Sequence, residues 1–133
     1  MARPIRIVVV DDNQLILRLL ALLLEEAGFV PVPADSAEAA LEIARTDPPD
    51  AFVVDQEMPG MKGSELVRAL RWSGDFRLAL ALVIGVSAYA AAERELRAAG
   101  ACEFVRKPLE EDALLEAVGR ALAPSAGEAV PAV

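Results

Sequence analysis

Five side chains suited to phosphate or metal chemistry stand where short apolar runs give way to polar sequence. Asp11 and Asp12 follow IRIVVV, Asp55 follows AFVV, Ser87 follows LVIGV, and Lys107 follows EFVR. Three carboxylates brought together repel one another and raise each other's pKa. A hard divalent cation removes that penalty, and an all-oxygen donor set favours Mg²⁺ or Mn²⁺ over zinc. A carboxylate is also a competent nucleophile toward phosphorus when a metal and a cation neutralise the phosphoryl oxygens. Lys107 can supply that cation, and Ser87 a hydroxyl donor to a further oxygen.

Such a site exists only if the chain brings these positions together. Apolar runs at Ile5–Val10, Phe29–Val32, Ala51–Val54, Leu82–Val86 and, more weakly, Ala101–Val105 are short and rich in β-branched residues, the pattern of strands buried on both faces. Between them, Ile16, Leu19, Leu20 and Leu23 follow helical spacing, as do Ala37, Ala40, Leu41 and Ala44. Leu66, Val67 and Leu70 make a third stripe and Leu114, Leu115, Val118 and Leu122 another, while Ala90–Ala99 is Ala-rich and only weakly amphipathic. Asp35 or Ser36 can cap the second helix, with Glu38 placed for a capping box if Asp35 is the cap, and Gly28, Gly74 and Gly100 stand where helices should end. Strand then helix, five times over, predicts an α/β fold: a doubly wound parallel sheet with helices on both faces. In such sheets functional groups gather beyond the carboxyl ends of the strands. The second strand delivers only Pro31 and Pro33 there; every other strand delivers a charged or hydroxyl group.

Composition narrows the function. Apolar residues make up 55% of the chain and aromatics 5%, and 21 acids against 13 bases give a net charge of -8. An acidic balance argues against nucleic acid as a direct partner, because phosphate backbones are bound mainly by Lys and Arg. The chain has no histidine, which removes histidine metal ligands and any phosphohistidine relay within it. The single cysteine, Cys102, allows no intrachain disulfide and is expected to be a core residue. The start, MARPIRIVVVDD, lacks the apolar length of a signal peptide, and the stretch from Leu78 to Ala92 falls short of the roughly 20 residues that cross a bilayer. These readings predict a cytoplasmic protein with no membrane partner.

The strings VVVDDN (Asp11, Asp12), VVDQEMPGMKG (Asp55, Pro59, Gly63), VIGVSA (Ser87) and FVRKPL (Phe104, Lys107, Pro108) occur in this order, each at a strand end. Together they resemble the receiver domain of the bacterial two-component response regulators over about residues 4 to 122. The resemblance implies a receiver domain over 1–123 with flavodoxin-like (βα)5 topology and strand order 2-1-3-4-5; residues 124–133, with no periodic pattern and two prolines, are expected to be a disordered tail or linker stub. It implies that Asp55 accepts a phosphoryl group from a sensor histidine kinase or histidine phosphotransfer protein. Asp12 and Asp55 would ligate Mg²⁺ directly, Asp11 largely through water, and the backbone carbonyl of Glu57 would complete the protein ligands, with Mn²⁺ able to substitute. Lys107 would pair with Asp55 at rest and with the phosphoryl group afterwards. Ser87 would move toward a phosphoryl oxygen, and Phe104, the switch aromatic, would turn into the space vacated. The Lys107–Pro108 bond is commonly cis in the family. A protein of this kind is a switch rather than an enzyme, although it assists its own phosphorylation and dephosphorylation.

Two positions depart from the commonest family pattern. Glu57 adds a fourth carboxylate beside the acceptor, and Tyr89 puts a bulky aromatic two residues after Ser87. Tyr89 is expected to limit water access and lengthen the life of the phosphoprotein. Trp72 is expected to cover the core from the third helix, and Met58 and Met61 to pack a loop. The output would be a downstream protein target or a fused output domain outside this chain, reached from a stand-alone form through the fourth helix, fifth strand and fifth helix. The alternative is a phosphorylation-independent pseudo-receiver, which should lack an acid or the lysine. An aspartyl-phosphate phosphatase or phosphotransferase would place its acids as Asp-x-Asp on one strand, and a flavin-binding protein would need a phosphate-cradling loop in place of DDNQ.

Overall fold

The computed structural model describes residues 3–123. Five strands alternate with six helices: β1 (Arg6–Val10), α1 (Gln14–Glu26), β2 (Val30–Ala34), α2 (Ala37–Thr46), β3 (Ala51–Asp55), α3 (Gly63–Arg71), α4 (Phe76–Ala79), β4 (Leu82–Ser87), α5 (Ala91–Ala99), β5 (Glu103–Arg106) and α6 (Glu111–Leu122). All strands are parallel, in the order β2-β1-β3-β4-β5. This is the doubly wound sheet expected. The expected tail, 124–133, lies outside the described residues.

Alternation along each strand builds two cores. Val8, Val10, Phe52, Val54 and Val83 turn to the face covered by α2, α3 and α5, while Ile7, Val9, Val53, Ile84 and Val86 turn to α1 and α6. Both faces are therefore dry, which is why the central strands read as unbroken apolar runs.

The edges depart from the simple pattern. β2 runs on to Ala34 rather than stopping at Val32, with both prolines inside it. Val30 N donates to Ile5 O at 2.9 Å, which turns Val30, Val32 and Ala34 to β1 and leaves Pro31 and Pro33 on the open side, where no N–H is needed. At the other edge β5 starts at Glu103, two residues later than its apolar pattern suggests, and Cys102 is exposed rather than in the core. Exposed edges do not require apolar residues on both faces, so their sequence signal is weak.

Helix ends follow local chemistry. Asn13 caps α1, its side chain accepting from Leu15 N and Ile16 N. Ser36, not Asp35, caps α2 by accepting from Ala39 N at 3.0 Å. Gly28 and Gly100, with φ of 96° and 125°, end α1 and α5. The third helix stops at Arg71, short of Gly74, and the additional short α4 follows. Trp72, the C-terminal cap of α3, does not cover the core: it is 88% exposed. Met58 is buried and Met61 packs against the core, as loop packing requires. No helix among the described residues is long and apolar enough to cross a membrane.

Candidate functional site

Register places the acids. Val10 pairs with Val54 across β1 and β3, so the next residues, Asp11 and the strand-ending Asp55, emerge side by side. Asp55 in turn pairs with Val86 on β4, one residue before Ser87, and Lys107 N donates to Ser87 O at 2.9 Å. Lys107 thus enters from two strands away, and its long stem spans β4 to reach the carboxylates.

Asp11 and Asp55 are 0% and 2% exposed, whereas Asp12 faces solvent. One carboxylate oxygen from each of the three lies within 4.8 Å of the others. Lys107 Nζ stands 2.9 Å from Asp55 Oδ1 and 3.1 Å from Asp11 Oδ2. Asp11 also accepts from Asn13 N through Oδ1 at 2.9 Å, so both its oxygens are engaged. Asp55 Oδ1 is different. Among the described residues it is the buried side-chain atom with no hydrogen-bond partner beyond its ion pair with the Lys107 ammonium at 2.9 Å.

Burial pushes Asp55 up to about 6; Lys107 opposes the rise, and the Asp11 and Glu57 carboxylates add to it. Burial likewise works against the charged form of Lys107, but the Asp55 and Asp11 carboxylates outweigh it and hold the ammonium above its ordinary value. With all four groups ionised, three carboxylates and one ammonium leave two negative charges. All-oxygen donors, that residual charge and an underserved buried oxygen fit a hard divalent cation.

The remaining predicted residues are placed less uniformly. Ser87 is fully buried, and its hydroxyl donates to the Glu57 carboxylate, with Oγ 2.8 and 2.7 Å from Oε1 and Oε2. Phe104 is half-buried, opposite Gly85 in the sheet, and packs on the core beneath α5. Tyr89 is 63% exposed and lines a cleft of about 540 Å³ with Glu57, Met58, Lys62 and Glu95. The Lys107–Pro108 peptide is cis.

One group went unnoticed in the sequence. The buried Gln56 accepts from Ser64 N at 2.7 Å through its carbonyl and donates through its amide to Ser64 Oγ and to Glu95 on α5. It thereby ties the residue after Asp55 to two helices. Nothing in the string VVDQEMPG marks a glutamine for this role, since its partners lie 8 and 39 positions away.

A doubly wound parallel sheet with an acidic pocket and a lysine beyond its carboxyl edge defines the class of this protein. The chain belongs to the response regulator receiver domain family, whose pattern matches residues 7–119. It is 35% identical to the transcriptional regulatory protein FixJ of Rhizobium meliloti over 114 residues, 85% of this chain and 54% of that protein. It is 32% identical to the sensor histidine kinase GacS of Pseudomonas protegens over 120 residues, 88% of this chain but 13% of that protein. The chain thus spans only part of either relative. The chemotaxis protein CheY4 of Vibrio cholerae superposes with a TM-score of 0.83 at 25% identity, covering 90% of this chain and all of that one.

Proposed function

We propose that this chain is a phosphorylation-driven cytoplasmic switch that accepts a phosphoryl group on Asp55 from the phosphohistidine of a sensor histidine kinase or histidine phosphotransfer protein. The observation that carries the proposal is the Lys107 ammonium, 2.9 Å from Asp55 Oδ1 in a pocket shared with Asp11 and Asp12. A pseudo-receiver has no need to keep a buried acceptor poised against a cation.

Asp12 and Asp55 would hold Mg²⁺ directly, Asp11 mainly through water, and the Glu57 backbone carbonyl would complete the set, with Mn²⁺ able to substitute. The ion would supply charge neutralisation at the phosphoryl oxygens. An Asp55 oxygen attacks phosphorus and the new P–O bond forms as the P–N bond to the partner's imidazole breaks, that electron pair remaining on nitrogen. Lys107 follows the charge from the carboxylate to the phosphoryl group. Ser87 donates to a second phosphoryl oxygen, and its loop, which leads directly into α5, carries the change outward as Phe104 turns inward. The output surface is the face formed by α5, β5 and α6, presented to a protein target or an output domain. No direct contact with nucleic acid or membrane is needed.

Incubation with Mg²⁺ and acetyl phosphate, followed by intact-mass measurement, tests the proposal. Gain of one phosphoryl group by the wild type and none by Asp55→Asn is expected. No gain by either protein would favour the pseudo-receiver, and equal gain would move the acceptor elsewhere.

A further inference from the structure

The Ser87 hydroxyl has one proton to give. In this structure that proton is directed at the Glu57 carboxylate, whose two oxygens lie 2.8 and 2.7 Å from Oγ. Tyr89 N donates to the same Oγ at 3.0 Å, which occupies a lone pair and fixes the hydroxyl from the other side. Ser87 is therefore held in a two-sided clasp between the loop after β3 and the loop after β4.

We infer that Glu57 is a positioning residue that holds the Ser87 hydroxyl in its resting orientation and competes with the phosphoryl group for its only proton. This inference rests on the reading of Asp55 as phosphoacceptor and of Ser87 as donor to the phosphoryl oxygen. The two acceptors exclude each other, because one O–H cannot serve both at full strength. A carboxylate is a strong competitor, since hydrogen bonds to charged acceptors are about twice as strong as neutral ones. Glu57 is also suited to let go. Its side chain is exposed, so water takes over the carboxylate when Ser87 turns away, and no buried charge is stranded. The backbone carbonyl assigned to the metal is unaffected by a change of this side chain.

Glu57 thereby acts in two separable ways. Its negative charge repels an incoming phosphodonor whatever Ser87 does, and its hydrogen bond acts only through Ser87. A double-mutant cycle separates them. Phosphorylation rates with acetyl phosphate and Mg²⁺ are measured for the wild type, Glu57→Ala, Ser87→Ala and the double variant. Glu57→Ala is expected to speed phosphorylation several-fold when Ser87 is present and by a clearly smaller factor when it is absent, with Glu57→Gln falling between. Equal acceleration in both backgrounds would overturn the clasp and leave charge alone.

A second readout needs no phosphoryl group. In the unphosphorylated protein the Tyr89 amide should shift in the ¹H–¹⁵N spectrum and exchange faster in Glu57→Ala than in the wild type, with Glu57→Gln showing a smaller change. An unaltered Tyr89 amide in both variants would overturn the inference even if the rates change. Failure of every protein to take up phosphate would instead refute the reading of Asp55 as phosphoacceptor, while the amide measurement still decides the clasp.

Discussion

Gly63 lies so close to Asp55 that a β-carbon at position 63 would overlap the Asp55 backbone carbonyl. The first residue of α3 is folded back onto the end of β3, and Gly63 N donates to Gln56 O at 3.2 Å. Substituting Gly63→Ala must push apart the strand end and the helix, and neither is a flexible side chain that can yield. A loss of about 2 kcal/mol is expected from such overpacking, together with weaker Mg²⁺ binding because Asp55 shifts. Urea unfolding and Mg²⁺ titration measure both; an unchanged midpoint would contradict the close approach.

The buried Asp55 carboxylate costs stability at neutral pH. Burial raises the Asp55 carboxyl to about 6 from 3.8. A carboxyl with a raised folded-state pKa binds its proton more tightly when folded. It therefore favours the fold below about pH 4 and withdraws that support as pH rises toward about 6. In chelator, Asp55→Asn should be more stable than the wild type at about pH 7.5, by up to about 3 kcal/mol, and nearly equal to it at about pH 4. Asp50, held low by its hydrogen bond to Arg3, has the opposite sign and loses its contribution as pH falls. It is common to both proteins and cancels. A less stable Asn variant at neutral pH would contradict the electrostatic account.

Lys107 is the only cation in contact with the buried pair among the described residues. Lys107→Met should leave two buried carboxylates uncompensated and lower stability at neutral pH by about 2 kcal/mol, less than for a fully buried pair because Lys107 keeps some solvent contact. Mg²⁺ should restore part of the loss, and so should acidification to about pH 4, where Asp55 is protonated. A deficit independent of both Mg²⁺ and pH would assign Lys107 a packing role alone.

Tyr89 stands at the lip of the cleft beside Glu57, with 63% of its surface in solvent. Its backbone is pinned to Ser87, and movement of Ser87 toward Asp55 would draw the ring over the pocket mouth. Tyr89→Ala should then speed loss of the phosphoryl group several-fold by admitting water, as followed by intact mass after donor removal. Unchanged or slower loss would count against the shielding role.

The fold was legible because both faces of the sheet are dry: short apolar runs rich in β-branched residues at β1, β3 and β4, alternating with amphipathic helices, point to a parallel sheet covered on both sides. α4 was not legible, since four residues span barely one turn and carry no periodicity. Neither was the full length of β2, because two prolines normally argue against a strand and are tolerated here only on an open edge. At the site, Asp11, Asp12, Asp55 and Lys107 could be read from the ends of their strands, where β register decides neighbours. The Gln56 network and the Ser87–Glu57 hydrogen bond could not. They depend on which way side chains turn in two loops, and local sequence does not encode the partner across the gap.

A phosphoryl group on Asp55 would be an acyl phosphate. An acyl phosphate is reduced by borohydride to the corresponding alcohol, so treatment with acetyl phosphate, Mg²⁺ and then borohydride should convert Asp55 to homoserine, and peptide mass spectrometry reads the position directly. Homoserine at position 55, absent when donor or Mg²⁺ is omitted, is the predicted result. Homoserine at another aspartate, or at none while intact mass shows phosphate bound, would mean that Asp55 is not the phosphoacceptor.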